Sequence, residues 1–128
     1  MILIDTSVLV DYFRKKEKTK TLFYRITGVR SDLAISAITH YEIFVGTKPE
    51  QDSFWQNLFK AIILMPFGKE EADEAVAIQK ELLRKNKMIG FGDIAIGATA
   101  RFNKFEISTL NRKDFERIEG LKFFDIPE

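Results

Sequence analysis

The chain contains no cysteine and only one histidine, His40, among its 128 residues. Disulfides, thiolate nucleophiles and cysteine-based zinc sites are thereby excluded, as are multi-histidine metal sites. Prolines number three, glycines seven, and no stretch is rich in either, so no linker or low-complexity segment divides the sequence. No apolar run approaches the ~20 residues needed to cross a bilayer, and no secretory signal is expected from an opening with only three apolar residues after Met1. Charge of one sign is missing too: 20 Lys+Arg face 19 Asp+Glu, a net charge of +1, without the basic excess common in nucleic-acid binders. What is present is 45% hydrophobic and 12% aromatic residues, enough for a core and too many for a disordered chain. One domain spanning residues 1–128, in the cytoplasm and free of membrane, is expected. Any catalysis must rest on carboxylates, hydroxyls, amides and basic groups.

The pattern of elements alternates. Met1–Ile4 is a short apolar run suited to a buried strand, and a helix follows through Phe13. A second helix is expected around Leu22–Ile26 and a strand at Leu33–Ile35. Ser36 is placed to cap a helix that runs to Val45 and stops at Gly46. Pro49 suits a first helical turn, and Phe54, Trp55, Leu58, Phe59 and Ile62 recur at helical spacing. Ile63–Met65 reads as a third strand. Lys69–Lys87 is helical, with acids early and bases late, and Phe91–Phe102 forms another helix. A strand at Glu106–Leu110, a turn or short helix near Arg112–Arg117 and a last strand at Leu121–Ile126 complete the order. Strands alternating with helices imply an α/β fold around a mostly parallel sheet, in which ligands gather beyond the carboxyl ends of the strands.

Three acids stand where that rule matters. Asp5 follows directly on Ile2-Leu3-Ile4, either as a cap for the next helix or as a strand-end ligand. Glu42 falls on the stripe Ile38, Tyr41, Val45, where a carboxylate is costly unless it meets a cation or reaches water at the stripe's edge. Asp93 is the only charged residue between Ile89 and Ala100, at the start of a helix that is apolar nearly all round; it too could be a cap. Taken together, three carboxylates at strand ends and helix starts suit a hard divalent cation with oxygen ligands, Mg²⁺ or Mn²⁺. Gly90, Gly92 and Gly97 have the wrong spacing for a dinucleotide loop, and no apolar strand precedes them. His40, two residues from Glu42, reads as a surface or edge residue. Arg14, Lys15, Lys16, Lys18 and Lys20 crowd one segment, either a solvated helix end or a phosphate-facing patch.

Four segments in order resemble the PIN-domain family, in particular VapC-type toxin ribonucleases. These are Ile2-Leu3-Ile4-Asp5-Thr6-Ser7, Ser36-Ala37-Ile38-Thr39-His40-Tyr41-Glu42, Gly92-Asp93-Ile94-Ala95-Ile96-Gly97-Ala98-Thr99-Ala100 and Ser108-Thr109-Leu110-Asn111-Arg112-Lys113-Asp114-Phe115. The resemblance implies a three-layer α/β/α sandwich and hydrolysis of RNA phosphodiester bonds. It implies Asp5, Glu42 and Asp93 as ligands for Mg²⁺ or Mn²⁺, with hydroxyls of Thr6 or Ser7 and of Thr109 orienting them. It also implies a homodimer and a VapB-type antitoxin that blocks the acidic pocket. At the fourth position, where many relatives carry an acid, this chain has Asn111, with Asp114 three residues on. Arg14, Lys15 and Lys16 are the candidates for RNA phosphates. Two other readings stay open: a PIN-like module that binds RNA or antitoxin without cutting, and a phosphoacceptor receiver-type domain. The latter would want adjacent acids after the first strand, where only Asp5 stands.

Overall fold

The structure, a computed structural model, describes residues 1–127. Five strands run in chain order: β1 (Ile2–Ile4), β2 (Leu33–Ser36), β3 (Ile63–Met65), β4 (Glu106–Ser108) and β5 (Lys122–Phe123). They form one sheet in the order β3-β2-β1-β4-β5, and every pairing is parallel. The helices are α1 (Thr6–Arg14), α2 (Leu22–Thr27), α3 (Ala37–Val45), α4 (Asp52–Phe59), α5 (Lys69–Lys85), α6 (Phe91–Asn103) and α7 (Arg112–Phe115).

Alternation along the strands separates two cores. Leu3, Ala34 and Ile107 face α5, α6 and α7, where they meet Ile78, Leu82, Ile96 and Phe115. Ile2, Ile4, Leu33 and Ile35 face the opposite way, against Val8 and Leu9 of α1, Phe23 and Ile26 of α2, and Trp55 of α4. A central parallel strand covered on both faces must be apolar throughout, which is why Ile2-Leu3-Ile4 has no polar residue until Asp5. Helix α6 is buried over seven consecutive residues, Ile94–Ala100. Its close seat depends on Gly97, where an added Cβ would stand 2.5 Å from Ile118 Cδ1.

Several expected boundaries move. Helix α5 ends at Lys85 rather than Lys87, because Asn86 turns left-handed (φ 54°) and closes it. Pro49 opens a separate 3₁₀ turn ahead of α4, and α4 stops at Phe59, short of Ile62. Strand β4 ends at Ser108, since Thr109 turns its hydroxyl to Asp5 and to the Asn111 N–H. The last strand shrinks to Lys122–Phe123.

The larger correction concerns α3. Its buried residues are Thr39 and Ile43, whereas Tyr41 is 65% exposed and Val45 67% exposed. Of the stripe Ile38, Tyr41 and Val45, only Ile38 packs against the core while the other two point outward, and Glu42 is exposed, as a carboxylate reaching water at the stripe's edge would be. Ser36 caps α3 as expected, accepting from Ile38 N at 3.0 Å. His40 is exposed, its ring 4.7 Å from that of Phe44, in keeping with a surface residue. No described helix is long and apolar enough to cross a membrane.

Candidate active site

The carboxyl ends of β1, β2 and β4 converge with the first turn of α6, and each delivers a polar side chain. Asp5 leaves β1 and is 3% exposed. It occupies the N-cap position of α1, yet its side chain makes no capping hydrogen bond. Asp5 Oδ2 instead accepts from Ser7 Oγ at 2.7 Å and from Thr109 Oγ1 at 2.8 Å. The capping reading of Asp5 is thus set aside: the carboxylate points along the strand's exit, toward β4.

Thr109 extends the network. Its hydroxyl accepts from the Asn111 N–H at 2.8 Å, which fixes the direction in which the Thr109 proton is given to Asp5. Asn111 Nδ2 donates to Asp93 Oδ2 at 3.1 Å and to Asp114 Oδ2 at 3.0 Å. A continuous path therefore runs from Asp5 through Thr109 and Asn111 to Asp93 and Asp114. The two candidates for the fourth position both reach the site, Asn111 as the bridge and Asp114 as a second acceptor.

Asp93 is the third residue of α6, whose N-cap is Gly90, so it is not a cap either. Its pKa is pushed up to about 6. Burial is the main cause, followed by the charges of Asp5, Asp114 and Glu42, while the Asn111 amide opposes the rise. Glu42 arrives from α3, and an added Cβ on Gly92 would stand 2.7 Å from Glu42 Oε2, so the carboxylate lies directly against the first turn of α6. Thr6 donates to Glu42 Oε1 at 2.7 Å and lies 3.0 Å from Thr39 Oγ1. The expected hydroxyls at Thr6, Ser7 and Thr109 all touch carboxylates. Thr39, buried beneath Thr6, is the neighbour that sequence reading missed; a threonine on the buried side of a helix was the available signal.

The basic run divides by partner. Lys18 Nζ donates to the carbonyls of Tyr12, Phe13 and Lys15 at 2.7–3.1 Å and so closes the end of α1. Lys15 pairs with Asp11 and Lys20 with Glu17, and Lys16 is exposed. Arg14 alone shares a cleft with Glu42, together with Phe13, Thr47 and Trp55.

The donor set is chemically suited to a hard divalent cation: carboxylate oxygens, an amide and hydroxyls, with no soft ligand. Among the described residues, however, no three acids surround one point as metal ligands do. Thr6 bonds one oxygen of Glu42 and Asn111 one oxygen of Asp93, so Glu42 Oε2 and Asp93 Oδ1 have no hydrogen-bond partner among the described residues.

The family model for the PIN domain matches residues 2–121. The chain belongs to the PIN-domain family. Ribonuclease VapC1 of Methanocaldococcus jannaschii is 32% identical over 97% of this chain and 87% of that protein. Ribonuclease VapC of Rickettsia bellii is 30% identical over 98% of this chain and 96% of the relative. Among solved structures, DNA-bound VapBC from Salmonella typhimurium has a chain that superposes with a TM-score of 0.86 at 24% identity, covering 98% of both chains. A toxin–antitoxin complex from Klebsiella pneumoniae has one with a TM-score of 0.74 at 29% identity, covering 94% of this chain and 95% of the other. The five-stranded parallel sheet flanked by helices is accordingly the PIN fold, in its VapC form.

Proposed function

We propose that this PIN-domain protein is an Mg²⁺- or Mn²⁺-dependent endoribonuclease, the toxin of a pair with a VapB-type antitoxin, acting in the cytoplasm. The observation that carries the reading is the convergence of Asp5, Glu42, Asp93 and Asp114 with no lysine or arginine bonded to any of them among the described residues. Like charges left unneutralised in a half-buried cleft repel one another, and a divalent ion is the natural counter-charge. The resemblance of the whole chain to VapC ribonucleases supplies the substrate class.

In this reading Asp5, Asp93 and Glu42 hold the ion, and Asn111 or Asp114 completes the set. When bound, the ion lowers the pKa of a water and offsets charge on the phosphoryl oxygen. The chain's own residues prepare that chemistry. Ser7 and Thr109 fix both the position and the rotamer of Asp5. Thr6, backed by Thr39, does the same for Glu42. Asn111 keeps Asp93 and Asp114 together while the ion is absent. The anionic phosphate is brought against these acids by cationic side chains at the rim, Arg14 among them.

Two further parts belong to the same reading. A homodimer is supported by the uncovered apolar side chains Tyr41 and Val45 on α3 and Ile63 and Leu64 on the edge strand β3, since a bare apolar edge invites pairing. An antitoxin that blocks the acids is supported by the VapBC character of the similar structures.

The test is to incubate the purified protein with total RNA and Mg²⁺ and to sequence the new RNA ends, with Asp5→Asn as control. Discrete ends that vanish in EDTA and in Asp5→Asn are expected. Undiminished cleavage after chelation would remove the metal from the reading, and no cleavage by the folded wild type would leave the binding module.

A further inference from the structure

A second cleft, of about 430 Å³, opens between α2 and the chain after β4 and β5. Its lining combines Arg25, Arg112, Ser108, Thr109, Phe124 and Asp125. Three observations set it apart. Ser108 is 2% exposed, and its Oγ is the one buried side-chain polar atom among the described residues without a hydrogen-bond partner. A buried hydroxyl with nothing to bond has lost its hydration without return, so a residue like alanine would hold β4 better. Arg25, exposed in the last turn of α2, belongs to no ion pair among the described residues. Arg112 lies with its guanidinium 4.3 Å from the centre of the Phe123 ring, its Nη1 donates to Asp125 at 2.6 Å, and its Nε lies 3.4 Å from Glu116 Oε1.

The cleft is also continuous with the acid cluster. Thr109 lines it and gives its proton to Asp5, so one residue separates the two. Two guanidiniums and an unbonded hydroxyl suit an oxyanion with several acceptor oxygens. Asp125 and Glu116 stand in the way only weakly: they are 73% and 61% exposed, and ion pairs so solvated exchange readily for a phosphate. Arg14, beside Glu42, lies on the β2 side of the acids, whereas this cleft lies on the β4 side. A strand crossing the acids would meet a cation on each flank.

We infer that the Ser108–Arg25–Arg112 cleft is a phosphate-binding subsite for single-stranded RNA, holding a phosphodiester that flanks the one being cut; the inference rests on the ribonuclease reading. Ser108 then donates to a phosphate oxygen, Arg25 and Arg112 supply the counter-charge, and the unmet hydroxyl has its partner in the complex. Side chains that form the cleft come from three separate elements, which is why the sequence does not display it.

The experiment measures binding of a fluorescent single-stranded RNA by anisotropy over a range of salt, in an Asp93→Asn background that leaves the RNA whole. Arg25→Gln carries no internal ion pair to lose; it should weaken binding about tenfold and lower the log–log salt slope by about 0.7. Ser108→Ala should weaken binding about fivefold while raising the melting temperature, because an unpartnered hydroxyl is removed. That opposite movement of affinity and stability is what a merely structural serine would not show. Arg112→Gln should weaken binding as well, and its melting curve reports any loss at Phe123 and Asp125. Wild-type affinity and salt slope in both Arg25→Gln and Ser108→Ala would overturn the subsite. So would unchanged RNA binding with weakened capture of the cognate antitoxin, which would make the cleft a protein-docking surface. A wild-type chain that cuts no RNA but binds it with the expected losses in both variants would refute cleavage and leave the subsite standing.

Discussion

Two acid-rich places in this molecule are built in opposite ways. Between α5 and α6, Glu74 and Glu81 both meet Arg101, which donates to each of them and to the carbonyl of Glu119 while only 17% of its side chain is exposed. At the strand ends, Asp5, Glu42, Asp93 and Asp114 meet hydroxyls and one amide instead. The first arrangement is complete within the chain and ties two helices to the loop before β5. The second is electrostatically unfinished, and Asp93 records the deficit as a raised pKa. Acidic residues alone therefore say little about function. What marks a site is the absence of a cation where the fold brings acids together.

Breaking the complete arrangement should do the most damage to stability. Arg101→Met leaves Glu74 and Glu81 of α5 without their shared cation against α6, and a loss of about 3 kcal/mol in denaturant unfolding is expected. RNA cleavage per folded molecule should be unchanged. A comparable loss of cleavage at full folding would tie the two regions together and dissolve the contrast.

The unfinished arrangement should respond in the other direction. Without metal, Asp93→Asn is expected to raise stability at pH 8 by on the order of 2 kcal/mol, since a raised pKa means that the folded state disfavours the charge. The sign follows from the ordinary value near 3.8 and the folded value near 6. Below the ordinary value the group is protonated in both states and costs nothing. As pH rises through 4 to 6, the unfolded chain ionises more readily than the folded one and stability falls. Above 6 the full cost persists. Wild type and Asp93→Asn should thus converge below the ordinary value of 3.8 and be fully separated by about pH 7, as thermal melts in EDTA would reveal; parallel curves would mean that Asp93 titrates like an exposed carboxyl.

A smaller effect should follow from Thr109→Val. It removes one of two hydroxyl donors to Asp5 and the acceptor of the Asn111 N–H, a loss of about 1 kcal/mol in stability. Cleavage should fall further than stability does, because the rotamer of Asp5 is then held by Ser7 alone. Equal activity in Thr109→Val would reduce the residue to a turn-former. Asn111→Asp is the subtlest change. It replaces a donor between Asp93 and Asp114 with a fifth carboxylate beside Asp5, Glu42, Asp93 and Asp114, and should tighten Mg²⁺ binding modestly while lowering stability in its absence. Calorimetric titration with Mg²⁺ distinguishes this from a weaker affinity, which would assign Asn111 to bridging only.

Legibility in the sequence followed how local each signal was. Ile2-Leu3-Ile4-Asp5 is a complete statement of a buried strand and its exit, and Asp93 stood out as one charge in an apolar stretch. The order of elements and the parallel sheet came from alternation alone. The stripe that singled out Glu42 is only partly a core face: Ile38 packs against the core, whereas Tyr41 and Val45 face out and the fully buried residues of α3 are Thr39 and Ile43. An apolar stripe shows a face to be covered, and a partner can cover it as well as a core. The basic run looked uniform, yet Lys18 is spent on three carbonyls and only Arg14 nears an acid; backbone geometry decides that, and spacing does not carry it. Ser108 and Arg112 share one short segment, but Arg25 lies on α2, far from both in the sequence, so no local motif joins the three.

The contrast between finished and unfinished acids is tested most directly by the melting temperature in rising Mg²⁺. A ligand that binds only the folded state stabilises it by an amount that grows with concentration, about 2.7 kcal/mol at a hundred times its dissociation constant. Wild type should climb steadily with Mg²⁺, and Asp93→Asn should start higher and stay level. Equal climbs in the two proteins, or no climb in the wild type, would contradict a divalent-ion site at the ends of β1 and β4.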